Sequence, residues 1–210
     1  MALNGCGGGA GGAGESSDTA SNGSSTTSGT TGTHTASSAT IQKGWYIRLE
    51  VESDRLKDTG TVFGYLEGAS DMKDKYDNAS LASGGLYTAI YHSDFDSDKE
   101  YRSDFRSYVE PGTRSDKWII RVHSGDKNAN IRMWWKGIVN VERSGTGAFK
   151  ESLDSQSDIF NKMRLIDVNT GNVIPVTGNG DEITFDMNGT SVREFQWILM
   201  KDGSSEPAIN

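Results

Sequence analysis

The sequence predicts an all-β fold, a two-sheet antiparallel sandwich that is immunoglobulin-like in general architecture and follows a disordered N-terminal tether. Three observations predict it. From residue 44 onward apolar and polar residues alternate with the period of a strand, short runs of this kind recur along the chain, and turn residues separate them without an intervening helical period. The first forty or so residues are too poor in apolar side chains to form a core. About 165 residues remain, which suits one domain.

Residues 1–40 are predicted to form a lipobox and a flexible tether rich in Gly, Ser and Thr. Between residues 7 and 40 no aliphatic side chain larger than alanine and no Phe, Tyr or Trp occurs. Such a segment cannot offset its chain entropy by burial, and a coil of this length spans about 30 Å. We therefore place the sandwich domain at residues 41–203 and a flexible tail at residues 204–210.

The first strand is the clearest, because Trp45, Ile47, Leu49 and Val51 fall on one face and polar or amphipathic residues fall on the other. Trp45, Trp118 and Trp197 alternate with aliphatic residues and are expected in the core. Further strands are predicted at residues 61–66, 86–92, 101–109, 117–123, 130–136, 162–168, 182–187 and 193–200.

Turn residues separate these runs, among them Asp58-Thr59-Gly60. Asn188-Gly189 predicts a type I′ turn that joins the last two strands as a hairpin. Within the long connection 138–160, the segment 150–161 is compatible with a short helix. These features leave about nine short strands, as a sandwich requires.

Charge and hydropathy limit the partners. The formal net charge is −8, both signs are interspersed, and no stripe of Lys and Arg offsets the acidic balance, so nucleic acid is not an expected partner. No run of eighteen apolar residues occurs. We therefore expect membrane attachment only through a lipid anchor.

A candidate for that anchor stands before the tether, where Leu3-Asn4-Gly5-Cys6 resembles the lipobox of bacterial lipoproteins. The resemblance implies that Cys6 is diacylated and becomes the N-terminal residue of the mature chain. It also implies an extracytoplasmic location, at the bacterial outer membrane or cell surface. The alternative is that Cys6 is an ordinary free cysteine of a flexible segment.

A second resemblance covers most of residues 44–200 and concerns a β-sandwich module of bacterial secreted and surface proteins. The matching positions are Trp45 with Leu49, Phe63-Gly64, Gly68-Ala69-Ser70-Asp71, Tyr87 with Tyr91, Tyr101-Arg102-Ser103-Asp104 with Arg106, Trp118 with Val122, Met133-Trp134-Trp135, and Leu165-Ile166-Asp167 with Thr170-Gly171. The resemblance implies a sandwich fold and supplies no catalytic residues.

The densest group of carboxylates is Asp94, Asp96 and Asp98, whose spacing can direct alternate side chains at one hard cation. Ca²⁺, in a structural role, is the only cofactor that this pattern suggests. An EF-hand loop is excluded, because Lys99 and Phe105 occupy the positions that need Gly and Glu. Asp71, Asp74 and Asp77 form a second acidic group that can approach the first. The alternative is a solvated acidic connection that binds no metal.

A candidate binding face lies on the predicted strand at residues 130–136. If Ile131, Met133 and Trp135 face inward, Arg132, Trp134 and Lys136 face outward together. An exposed indole flanked by cations can stack on a sugar ring or anchor a protein partner. The alternatives are that the connection 138–160 folds over Trp134 or that the register is reversed.

No catalytic constellation is recognisable, because Gly-x-Ser-x-Gly is absent and His34, His92 and His123 lack zinc-site spacing. We therefore predict a non-enzymatic, cell-surface binding module that recognises a glycan or an envelope protein. The first alternative is a structural subunit of an extracellular assembly or filament, a homo-oligomer built by pairing strand edges. A polysaccharide hydrolase is the last.

Overall fold

The computed structural model describes residues 43–80, 85–95, 99–143, 147–152 and 158–204, and it confirms a two-sheet sandwich. In chain order the elements are β1 (Gly44–Glu52), β2 (Lys57–Leu66), β3 (Leu86–Tyr91), β4 (Glu100–Tyr101), β5 (Ser103–Ser107), β6 (Asp116–Ser124), β7 (Asn130–Arg143), β8 (Gly147–Ser152), α1 (Asp158–Asn161), β9 (Met163–Asp167), β10 (Asn172–Pro175), β11 (Glu182–Asp186) and β12 (Val192–Leu199).

The first sheet has the order β11-β7-β1-β2-β5, with β8 also pairing with β7, and the second has the order β10-β9-β12-β6-β3-β4. The described strand pairs are antiparallel, as predicted, except that β2 and β5 run parallel. Between β2 and β5 the chain passes through β3 and β4 of the other sheet, and such a crossover is what parallel neighbours need. The sandwich therefore has a β4–β5 side and a β10–β11 side.

The core lies between the two inner faces, where alternate side chains of each strand meet. Phe63 of the first sheet contacts two indoles of the second, with ring centroids 5.1 Å from Trp118 and 5.4 Å from Trp197. The Trp197 ring in turn lies 5.2 Å from that of Trp135, at nearly a right angle. Trp45, Trp118 and Trp197 are buried, which confirms the prediction made for them.

The outer face of β1 differs from the simple alternation, because Tyr46 is buried there. The Phe105 ring of β5 contacts its edge at a centroid distance of 5.6 Å, and Gly64 stands opposite it on β2. A Cβ at Gly64 would lie 2.3 Å from the Trp45 carbonyl oxygen. The missing side chain therefore lets β2 approach an aromatic strand closely.

Two predicted boundaries were wrong in an informative way. Residues 58–60, predicted as a turn, belong to β2, and the register shift opposite Leu49 and Glu50 leaves Gly60 as the extra residue of a β-bulge. The single strand predicted at residues 101–109 is two strands, because the chain leaves the second sheet at Arg102 and enters the first. Period-two alternation continues through such a crossing, so it does not reveal the change of sheet.

The connection at Asn188 and Gly189 has the left-handed backbone expected of this dipeptide, with φ values of 51° and 81°. The hairpin prediction was nevertheless wrong. β11 pairs with β7 in the first sheet, whereas β12 pairs with β6 and β9 in the second. The turn therefore crosses the sandwich, since turn chemistry fixes the local reversal and not the partner strand.

The segment 150–161 is partly a strand. Its first residues complete β8, which pairs with the far end of β7, and among its described residues Asp158–Asn161 forms a helical turn. No helix in the described part of the chain has the length and apolar character to cross a bilayer.

Candidate functional site

The predicted register of β7 is confirmed. Ile131, Met133 and Trp135 are at most 1 % exposed and face the core. Arg132 and Lys136 are exposed on the outer face, with Trp134 half-buried between them. The reversed register is therefore excluded.

The indole of Trp134 is covered by cations from two strands. Lys57 Nζ and Arg132 Cζ each lie 4.9 Å from the ring centroid. Glutamates hold these cations in turn: Arg132 Nη2 is 2.6 Å from Glu182 Oε2, and Lys57 Nζ is 3.5 Å from Glu50 Oε2. The indole is thus not an open platform for sugar stacking, but it presents a preorganised cation–π cluster of the kind that anchors protein partners.

The structure also shows what lies beside Trp134 on the outer face of the first sheet. β8 pairs beside β7 and so extends the first sheet where the sequence allowed a loop over Trp134. Lys136 lies two residues further along β7 on the same face, opposite Arg48 of β1.

Cys6, the predicted lipid attachment site, lies outside the described residues.

The carboxylates proposed for Ca²⁺ are only partly described. Asp94 is exposed, and its Oδ1 lies 3.9 Å from His92 Nδ1, whereas Asp96 and Asp98 lie outside the described residues. Across residues 43–80, 85–95, 99–143, 147–152 and 158–204, no group of three potential ligands suited to a metal is found.

The second acidic group is engaged in local hydrogen bonds. Asp74 accepts from the Ser70 amide, and Asp77 accepts from the amides of Asp74 and Phe105. Asp71 binds Arg114 through both carboxylate oxygens, at 2.8 and 3.0 Å. These carboxylates order the connection between β2 and β3.

A cavity that sequence reasoning did not identify lies at the β4–β5 side of the sandwich. We call it the seam cavity, and its volume is about 270 Å³. It lies where the end of β3, the start of β6 and the edge strand β5 come together. Its lining is Asp71, Ile90, Tyr91, His92, Ser93, Asp94, Arg106, Lys117, Trp118 and Ile119.

Buried polar atoms without a hydrogen-bond partner occur at this site. Trp118 Nε1 and His92 Nε2, both on residues that line the cavity, have no hydrogen-bond partner, and neither has Asp104 Oδ2 behind them. His92 Nε2 and Asp104 Oδ2 are 3.2 Å apart, but their geometry is not that of a hydrogen bond. Unsatisfied buried groups cost about 1–3 kcal/mol each, so native structures retain few of them.

A chain of alternating charges fixes the rest of the site. Arg106 Nη1 contacts Asp116 at 2.6 Å and stacks over the Trp118 ring, with its Cζ 4.5 Å from the centroid. Asp116 also accepts from Tyr65 and Arg114. Arg114 also binds Asp71. The hydrogen bond from Arg114 is the largest of the effects on the pKa of the Asp71 carboxyl, and it lowers that pKa below its usual value.

The imidazole of His92 is held by aromatic packing on two sides. The Phe95 ring lies parallel to it at 4.1 Å, and the Tyr101 ring meets it edge-on at 5.7 Å. A fixed imidazole, a fixed guanidinium and two carboxylates at the cavity wall can together donate and accept several hydrogen bonds from a polar ligand.

One feature of the sequence, the spacing of Asp104 and Arg106, pointed to this site. Asp104 and Arg106 are two residues apart in a predicted strand, so their opposite charges must share one face. His92 is 12 residues before Asp104 and gives no pattern with it. Tertiary structure alone brings the imidazole to the carboxylate.

Searches against protein-family models, curated proteins and solved structures find no match for this chain.

Proposed function

We propose that this protein is a non-enzymatic binding module of the bacterial cell surface, held by a lipid on Cys6 and projected by its tether, and that its ligand is a glycan. The seam cavity carries the proposal. It combines fixed polar groups of both kinds with apolar surface in a recess of ligand size, which is the usual composition of a small-molecule site.

The size of the cavity sets the size of the ligand. Small-molecule sites usually measure about 300–1,000 Å³. At about 270 Å³ the seam cavity lies just below that range, so it admits about one sugar ring rather than a chain. We therefore propose recognition of a terminal or branching sugar unit.

Sugar chemistry suits the lining. Each hydroxyl both donates and accepts, and the wall offers donors at Arg106 and Lys117 and acceptors at Asp71 and Asp94. Arg121 already stacks on the Tyr91 ring, so Ile119 supplies apolar surface for the C–H groups of a sugar ring. A purely anionic ligand suits it less well, because both carboxylates face it.

Glycan-array binding with the full-length protein tests this. We expect selective binding that Lys117→Ala and Asp94→Asn each weaken at least tenfold, since both residues line the cavity and both are exposed enough to be replaced without loss of folding. Lys127→Ala and Asp54→Asn, exposed residues outside the lining, are the matched controls and should bind normally.

The same assay separates the alternatives. Binding that survives both cavity variants but is lost in Trp134→Ala would move the site to the outer face of the first sheet. Absence of any glycan binding would overturn the glycan proposal in favour of an envelope protein. Release of reducing ends from a bound polysaccharide would overturn the non-enzymatic assignment.

A further inference from the structure

A second recess lies at the opposite, β10–β11 side of the sandwich. It has a volume of about 470 Å³, and we call it the edge cleft. Apolar side chains Ile174, Ile183, Phe185 and Phe195 line it together with Asp167 and Arg193. β10 ends one sheet and β11 ends the other, so the edge cleft lies between two sheet edges.

The backbone of β11 is arranged for further pairing. The Met187 amide donates to the Ala129 carbonyl, so residues 187, 185 and 183 carry the hydrogen-bonded pairs with β7 and the residues between them direct N–H and C=O to the other side. Asp186 fits this pattern, because its carbonyl accepts from Arg193 Nη1 across the cleft. In the described part of the chain β11 pairs with no strand other than β7.

Arg193 adds an unsatisfied donor to the lining of the cleft. Its side chain is 6 % exposed, it forms an ion pair with Asp167 of similar burial, and its Nε has no hydrogen-bond partner. The ion pair already balances the charge. The free donor therefore favours a neutral oxygen, such as the hydroxyl of Thr or Ser, over an anion.

Charge decides which strand can pair with β11. Antiparallel pairing of two copies about Thr184 would place Glu182 of one opposite Asp186 of the other, and like charges directly opposite are unfavourable. Glu182 is paired with Arg132 but is half-exposed, and Asp186 accepts from the neutral amide of Asn130, so the two carboxylates still favour a strand with basic residues at those outward positions. Ile183 and Phe185 face inward between them, where apolar or short hydroxyl side chains fit.

We propose that the β11 edge binds an extended segment of a partner protein by strand addition. The segment runs antiparallel to β11 and places basic residues opposite Asp186 and Glu182. It places Thr or Ser opposite Phe185, near Arg193, and an aliphatic residue opposite Ile183. This interaction is separate from the seam cavity, so either site can fail without the other.

The probe is the capped peptide acetyl-Gly-Lys-Thr-Thr-Val-Lys-Gly-amide, titrated into the full-length ¹⁵N-labelled protein and followed by amide chemical shifts. We expect shifts at Glu182, Thr184 and Asp186. A peptide with Glu in place of both Lys should bind about tenfold more weakly, because two favourable cross-strand charge pairs become repulsive.

Two variants at Thr184 test whether the backbone N–H of β11 contributes to peptide binding. Thr184→Pro removes the outward N–H and leaves the ladder with β7 intact, so binding should be lost. Thr184→Val keeps the N–H and should bind as the parent does. Asp186→Lys should reverse the preference and favour a peptide with Glu at its first charged position.

Three results would overturn the proposal. They are shifts confined to other strands, equal binding of the Lys and Glu peptides, and unchanged binding to Thr184→Pro. Concentration-dependent sedimentation that Thr184→Pro abolishes would instead show that a second copy of this chain occupies the edge.

Discussion

Arg102 donates two hydrogen bonds to Asp58, of 2.6 and 2.7 Å, at the point where the chain passes from one sheet to the other. Asp58 also accepts from the amide and hydroxyl of Thr88, and Arg102 Nη1 reaches the Thr88 carbonyl. The pair therefore links β2, β3 and the crossing between β4 and β5. It thereby ties β2 to β3, whose last residues line the seam cavity.

Replacing Arg102 should show how much its ion pair with Asp58 contributes to the free energy of unfolding. Arg102→Ala leaves the Asp58 carboxylate with only the Thr88 donors, and we expect a loss of about 1–3 kcal/mol in the free energy of unfolding, because the side chains are 27 % and 14 % exposed and solvent screens the pair in part. Urea unfolding measures it. Arg55→Ala, at an exposed residue, is the control and should change stability by less than about 0.5 kcal/mol.

The same pair predicts how stability depends on pH. Burial by itself raises the pKa of the Asp58 carboxyl, but the hydrogen bonds from Arg102 and Thr88 outweigh it and hold the pKa below the usual 3.8. A depressed folded-state pKa gives stabilisation that is complete above the unfolded-state pKa and is lost as the pH falls through the folded-state value. The wild-type advantage over Asp58→Asn should therefore shrink below about pH 4. An advantage that is constant from pH 7 to pH 2.5 would contradict this.

Gly64 should tolerate no side chain. A Cβ there would lie 2.3 Å from the Trp45 carbonyl oxygen and 2.6 Å from Tyr46 Cα, and neither backbone atom can move without disturbing β1. We expect Gly64→Ala to cost about 3 kcal/mol. Gly180→Ala is the matched control, because it has a positive φ of 83° but nothing within 4 Å, so it should cost only about 1–2 kcal/mol of backbone strain. Equal losses in thermal or urea unfolding would show that contact is not the cause.

Trp134 should account for the solvent-accessible tryptophan fluorescence. The chain has five tryptophans, and Trp45, Trp118, Trp135 and Trp197 are at most 3 % exposed. Acrylamide should therefore quench the Trp134→Phe variant much less than the parent. Trp135→Phe, one residue away but facing the core, should keep the accessible component. The reverse result would mean that β7 has the opposite register.

The Ca²⁺ site at Asp94, Asp96 and Asp98 stays a prediction from sequence. A ligand that binds only the folded protein stabilises it, so Ca²⁺ at ten times its Kd should add about 1.4 kcal/mol and raise the Tm by about 3–5 °C. Mg²⁺ at equal ionic strength should not. The rise should vanish with a chelator and in Asp96→Asn. An unchanged Tm would favour the alternative, in which this segment is a solvated acidic connection that binds no metal.

The sequence determined by itself what depends on local pattern. Period-two alternation placed Trp45 and Trp135 in the core and Trp134 outside, since neighbouring residues of a strand must face opposite ways. Asn188 and Gly189 adopt the left-handed backbone expected of them, because steric freedom at these residue types is local.

Tertiary structure alone decided what depends on which strand lies beside which. Nothing local shows that Arg102 marks a change of sheet or that the Asn188-Gly189 turn crosses the sandwich. Both follow from burying the inner faces of two sheets together. The meeting of His92 with Asp104, and of Arg193 with Asp167 across β12 and β9, follows from the same packing, because residues distant in sequence become neighbours only when the core closes.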